Sequence, residues 1–428
     1  MGSMVVPSSG ERPAQVNWWL LALLSASCCI NYIDRGNLSV AAPQLSRELS
    51  LGPEKLGLLL SAFFWTYASF QIIAGWLVDR FDVYWVFGIG FFLWSAATAV
   101  TGLAGSFAIL FGLRLVLGMG ESIAYPAYSR IIAGQIPERR RGLANALVGA
   151  GSQAGPALGT LVGGLIVAHY GWRPLFLILG FGAMLWLPLW FASSVHQPKR
   201  TLGLSPQQAG PGMLEIIRRR LFWGTVIGLF CLDYALYFLI TWLPSYLVTI
   251  RHYSISRMAV IGSFPFISLA IGSLFGGWAS DRWIAAGSTP TRVRRTFAIA
   301  GQLMCTLLVP AAIVESPVIS IVLMMVACLS LGLFLSNVWA ITQTLAGPAA
   351  AGRWTGFQNA LGNLSGVVAP ALTGWIVAKT GSFSLAFVAV GVVLILGVLA
   401  YVFLVTDVSP VTWKSQTVEP SIATAART

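Results

Sequence analysis

Gly75-Trp76-Leu77-Val78-Asp79-Arg80 recurs, with two changes, as Gly277-Trp278-Ala279-Ser280-Asp281-Arg282. Each copy closes a long apolar run with an acid and a base. The first ends the second run of the chain and the other ends the eighth. A charged punctuation repeated at that interval marks an internal duplication, two parallel halves of six apolar runs each.

The runs around these marks are long enough to cross a bilayer, which takes about 20 residues each. They lie at 17–44, 55–78, 83–104, 106–134, 142–168, 172–193, 221–249, 257–281, 295–314, 317–344, 353–378 and 382–405. The pattern predicts an all-α membrane protein of twelve transmembrane helices in two pseudo-symmetric six-helix bundles. A tail at 1–16 precedes the first bundle (17–193), a polar linker at 194–220 follows it, and a second bundle (221–405) leads into a tail at 406–428. Composition agrees: 57% of residues are hydrophobic and only 9% charged, against about a quarter charged in soluble domains. So little charge cannot cover a water-facing surface.

The net charge of +12 raises the question of nucleic acid, and position answers it. Eighteen of the 26 Lys and Arg fall on the side that holds both termini and the linker, six on the other side, and Arg35 and Arg114 inside runs. That is the asymmetry of cytoplasmic loops, so both termini are expected in the cytoplasm; no basic face interleaved with aromatics is present. Met1 to Gln15 is polar and lacks the basic-then-apolar plan of a cleavable signal. Cys28, Cys29, Cys231, Cys305 and Cys328 all sit in apolar runs and read as small hydrophobes without a disulfide framework.

The sequence resembles the major facilitator superfamily over essentially its whole length. Gly75 to Arg80 matches the first part of that family's loop signature, whose basic second part is replaced here by Asp82-Val83-Tyr84-Trp85. Arg114 with Gly118 matches the fourth-helix Arg motif, and Gly151-x-x-x-Gly155-Pro156-x-x-Gly159 resembles the fifth-helix glycine-proline motif of antiporters and some symporters. More narrowly, Asn31-Tyr32-Ile33-Asp34-Arg35-Gly36-Asn37-Leu38 resembles the first-helix signature of the anion:cation symporter family. Gly120-Glu121, Tyr125-Pro126-Ala127 and Ile136-Pro137-Glu138-Arg139 fit the same family. The resemblance implies uptake of a sugar acid or similar carboxylate, driven by protons through alternating access. It also implies gating by Asp79, Arg80, Asp281 and Arg282 at the repeated loops.

Ionisable groups inside a membrane are costly, and each is a functional candidate. Arg35 is the candidate for the substrate anion, since a guanidinium stays charged and matches a carboxylate with two parallel donors. Tyr32, three residues earlier, shares its helix face. Asp34 points about 100° away from Arg35 around the helix, while Arg114 and Glu121, nearly two turns apart, share a face. A carboxyl in a low-dielectric site holds its proton more tightly and a nearby guanidinium loosens it, so Asp34, Glu121 and Arg114 are expected to carry proton coupling. The resemblance implies the same roles. Asp233 stands where relatives carry Asn, and reads as a further proton site, a group that repels part of an anion, or a buried acid paired locally. Tyr67 matches the family's second-helix tyrosine, and Gln153, Ser336, Asn337, Trp339 and Asn359 supply groups for a polyhydroxylated substrate or hydrogen bonds between helices.

A proton-antiport exporter of drugs or metabolites is the rival reading, though a cation pump has little use for Arg35 in its cavity. A non-transporting sensor would need a signalling domain that the chain does not carry. An enzyme is not expected: no HExxH, nucleophile elbow or phosphate loop is present, and three histidines leave little for metal chemistry. The expected partners are a small organic anion, protons and the lipid bilayer, with no nucleic acid and no cofactor beyond the proton gradient. The expected state is a monomer in a bacterial inner membrane.

Overall fold

The computed structural model describes residues 17–136, 138–194 and 211–413. The tails and most of the linker lie outside the described residues. What is described is almost wholly helical. Ten helices are long and apolar enough to cross a membrane, from Pro53–Val78 to Phe383–Phe403. Two more long helical segments complete the twelve spans: Trp18–Glu48 and Glu138–Tyr170, the latter passing through a π-helical turn at Gly159–Gly163. These two are the less apolar ones because the first holds Asn31, Asp34, Arg35 and Asn37 and the other begins in a basic loop. Ile72, Leu103, Leu185, Leu274 and Val318 stand exposed on the outside of the bundle, a surface that lipid can cover.

Proline sets where the spans break. A proline lacks the backbone donor and its ring meets the carbonyl four residues before it. Pro126 accounts for the interruption at Ser122–Ile123 in the fourth span, Phe107–Ile132, directly after Glu121. Pro188 and Pro310 act likewise at Leu185 in the sixth and Thr306 in the ninth. The tenth and eleventh spans, Pro317–Gly347 and Ala350–Thr380, are joined at Gly347, whose φ of 61° suits glycine.

Small residues let helices touch at their backbones. Gly151, Gly155 and Gly159 form a stripe on the fifth span that seats the first helix: a side chain at Gly155 would meet Tyr32 and the Cys29 carbonyl, and one at Gly159 would lie 3.2 Å from the Ile33 Cα. The glycine-proline motif is therefore first of all a packing surface. Asp82, where the loop signature departs from its family pattern, caps the third span by accepting from the Tyr84 amide at 2.9 Å.

The halves meet at the end of the bundle away from the linker. A side chain at Gly57 of the second span would lie 2.9 Å from the Gly374 Cα of the eleventh, and one at Gly164 of the fifth 3.0 Å from the Ala259 Cα of the eighth. Towards mid-bundle, Gln153 Nε2 donates to Ser273 Oγ across the halves at 3.2 Å. At the linker end the contacts run within the second half. Arg295 donates to the Thr406, Tyr401 and Val402 carbonyls and Trp413 to the Ala346 carbonyl. Hydrogen bonds from Ser409 and Thr291 hold the exposed Asp407 carboxyl below the usual carboxylate range.

Candidate functional site

Five acidic or basic residues are buried among the described residues: Asp34, Arg35, Arg114, Glu121 and Asp233. Four belong to the first half, on the first and fourth spans. The fourth helix can bring its pair against the second because Gly118 has no side chain to strike the Phe63 carbonyl and Thr66 Oγ1. Thr66 Oγ1 in turn donates to the Leu115 carbonyl at 2.7 Å and ties the two spans together.

Arg35 is the hub. Its Nε donates to Glu121 Oε2 at 3.3 Å, an ion pair between side chains almost wholly shielded from solvent. The guanidinium carbon lies 4.5 Å from the Tyr32 ring centroid, 4.5 Å from that of Tyr67 and 5.3 Å from that of Phe63. The aromatic faces attract the cation and fix its plane. Nη2 of Arg35 and Oε1 of Glu121 have no hydrogen-bond partner among the described residues. A buried charge with free valence of this kind is costly unless another group completes it, and here both members of the pair are incomplete.

Asp34 turns the other way. Its Oδ1 accepts from Asn37 Nδ2 at 2.9 Å, and it lies within electrostatic reach of Arg114 and Glu121 inside the first half. Arg114 sits beneath the same Phe63 ring, 5.3 Å from its centroid, with Nε unpartnered among the described residues. The geometry thus separates the two neighbours in sequence: Asp34 into the first bundle, Arg35 towards the second.

Across from Arg35 stands the seventh span, Arg220–Thr249. Tyr237 packs its ring 4.4 Å from that of Phe64 and donates its hydroxyl to Asn363 Oδ1 at 2.8 Å. Asp233, one turn earlier, places Oδ2 3.2 Å from the Cβ position of Gly362 on the eleventh span. No hydrogen bond or ion pair joins it to another described residue, and Arg35 lies within electrostatic reach.

The other sequence candidates are spread more widely. Tyr67 stacks on Phe63 at 5.2 Å and Tyr32 shares a hydrogen bond with Tyr125 at 3.2 Å, so both belong to the Arg35 cluster. Gln153 bridges the halves. Asn337 donates to the Leu333 carbonyl and to Ser336 Oγ, at 3.0 and 3.2 Å, and Ser336 to that same carbonyl, bonds internal to the tenth span. Trp339 and Asn359 are half-buried. Arg80, Asp281 and Arg282 are exposed, Arg282 near the Trp278 ring at 5.7 Å, and the Asp79 side chain lies outside the described residues.

Sequence reasoning missed Tyr237, Asn363, Phe63 and Asn37. Tyr237 was within reach, since it lies one helical turn from Asp233. Asn37 and Asn363 are amides buried inside spans, where a single polar residue gives no sign of the partner it meets. An apolar groove of about 620 Å³ between the first and fifth spans, lined by Trp18, Leu21, Cys29, Leu147 and Gly151 among others, offers no charged group and lies apart from this cluster.

Comparison with known proteins points one way. The sequence profile of the Major Facilitator Superfamily matches residues 24–370. A probable sulfoacetate transporter of Cupriavidus necator is 32% identical, over 90% of this chain and 93% of its own. The D-galactonate transporter of Escherichia coli O6:H1 is 29% identical (95% of this chain, 100% of that one), and a probable galactarate/D-glucarate transporter of Bacillus subtilis 28% (97% of each). Among solved structures, a bacterial homologue of the human lysosomal transporter Spinster, in an inward-facing and occupied conformation, superposes with a TM-score of 0.79. It is 19% identical, and the alignment covers 92% of this chain and 98% of that one.

Proposed function

The chain belongs to the Major Facilitator Superfamily and is an integral membrane transporter, not an enzyme, and from that premise we propose that it takes up a sugar acid or similar hydroxylated carboxylate together with protons. The observation that carries this reading is the incomplete pair at the centre of the first half. Arg35 Nη2 is buried, charged and without a hydrogen-bond partner among the described residues, and the Tyr32 and Tyr67 rings hold its plane. A carboxylate oxygen completes it. The relatives named for galactonate, galactarate and glucarate support the substrate class.

Coupling follows from competition for Arg35. With Glu121 ionised, the guanidinium is partly engaged and a substrate anion would share it with a second negative charge. A proton on Glu121 removes that charge and frees the arginine for the substrate. Proton and anion therefore favour each other on the same carrier state. Asp34, close to Arg114 and Glu121, extends the set of acids that can hold a proton. The far ends of the halves are packed together, so this state opens towards the linker end. With the termini and linker cytoplasmic, in a bacterial inner membrane, that is the inward-facing side of the cycle. A monomer holds the complete site.

The test is uptake into proteoliposomes under an inwardly directed proton gradient, across sugar acids, aromatic acids and amino acids. The expected result is accumulation of a sugar acid that a protonophore abolishes. Expulsion of preloaded compounds driven by the gradient, with no acid accumulated, would instead establish the exporter.

A further inference from the structure

We infer that Asp233 selects for substrates with a single anionic end, so that the site accepts aldonate-type monocarboxylates and rejects the dicarboxylates built on the same carbon skeleton. This rests on the sugar-acid reading above and narrows it.

Asp233 belongs to the wall that faces Arg35. Phe63, whose ring lies under the Arg35 guanidinium, packs edge-on against Phe64 at 4.9 Å, and Phe64 packs against Tyr237. Asp233 lies one turn before Tyr237 on the same helix face, held against Gly362, where any side chain would crowd Oδ2. Arg35 lies within electrostatic reach of Asp233 across the halves. An anion seated on Arg35 with its chain extended towards the second half therefore ends near the Asp233 carboxylate, the Tyr237 hydroxyl and the Asn363 amide.

The chemistry of that end is one-sided. A carboxylate accepts hydrogen bonds and donates none. A terminal hydroxyl donates to it and leaves its own oxygen for a neighbouring donor. Where the Arg35 cation across the halves keeps Asp233 ionised, the acid repels a second carboxylate, and like charges juxtaposed in a poorly hydrated site weaken binding. The charge balance agrees. Two buried cations face three buried acids among the described residues. With protons on Asp34 and Glu121, Arg35 and Arg114 balance Asp233 and one substrate charge. A dianion leaves one charge uncompensated in low dielectric.

The test is calorimetric binding to the purified full-length protein at neutral pH, comparing D-galactonate with galactarate and gluconate with glucarate. The wild type is expected to favour the monoanion of each pair at least about ten-fold. Asp233→Asn is expected to keep galactonate binding and bring the pair close to equal affinity. Asp233→Glu, which preserves the charge, is expected to preserve the preference and covers the case in which the asparagine variant does not fold. Equal or tighter binding of the dicarboxylates by the wild type overturns the assignment. So does an undiminished preference in a galactonate-binding Asp233→Asn protein, or a lost preference in Asp233→Glu. If the wild type binds no sugar acid at all, the functional reading fails first and Asp233's role falls with it.

Discussion

The two halves share a plan and divide the chemistry unequally. Both end their second span in Gly-Trp-x-x-Asp-Arg, and both use backbone-close glycine contacts: Gly155 and Gly159 seat the first helix, while Gly272 and Gly276 seat the tenth span against the eighth. Yet among the described residues the first half buries Asp34, Arg35, Arg114 and Glu121, and the second buries Asp233 as its one acidic or basic group, beside the neutral Tyr237–Asn363 bond. Duplication thus supplied a scaffold with two matching walls. The charges gather on one wall, which in the proposed mechanism binds the protons and the anion while the other reads the rest of the substrate.

If that division is right, the largest loss comes from the first wall. Arg35→Lys keeps a positive charge but loses Nε and the planar fork, and neither stacks between Tyr32 and Tyr67 nor reaches Glu121 as before. Sugar-acid affinity is expected to fall by about 30-fold or more, in line with the roughly 2–5 kcal/mol that truncating a buried hydrogen-bonded charge pair costs. Calorimetric titration checks it, and unchanged affinity would return Arg35 to a structural role.

A middle-sized effect is expected where the first wall is merely seated. Gly155→Leu forces a side chain into Tyr32 and the Cys29 carbonyl, and overpacking of this kind costs about 1–3 kcal/mol. The detergent-solubilised variant should unfold at a lower temperature. Because Tyr32 is the residue struck, substrate affinity should drop as well. Weaker stability with intact affinity would show that the stripe supports the bundle without positioning the site.

The neutral Tyr237–Asn363 contact of the second wall should respond most mildly. Tyr237→Phe deletes one neutral hydrogen bond, worth about 0.5–1.5 kcal/mol, and keeps the packing against Phe64. Affinity should fall only several-fold while the proton dependence of uptake stays as in the wild type. A changed proton dependence would break the division between the walls.

How much of this could be read from residues alone follows the same physics. The span pattern, the duplication and the five buried acidic and basic groups were legible, because charge inside an apolar run has few neutral explanations. The divergent bearings of Asp34 and Arg35 were legible too, since adjacent residues on a helix differ by about 100°. What could not be read was pairing between spans. That Arg35 takes Glu121, that Phe63 lies between Arg35 and Arg114, and that Tyr237 meets Asn363 depend on which helix packs against which. No local period encodes that. The glycine-proline motif shows the limit from the other side: its residues stood out in sequence, but their contact with the first helix is a tertiary fact.

The central claim, that the Glu121 carboxylate and the substrate anion compete for one arginine until a proton on Glu121 frees it, is tested most directly by Glu121→Gln in proteoliposomes, with gradient-driven accumulation and substrate exchange measured side by side. The glutamine keeps the shape and removes the titration. Accumulation is expected to vanish while exchange of labelled for unlabelled sugar acid persists. A variant that still concentrates its substrate under a proton gradient would contradict the claim and move coupling to another group.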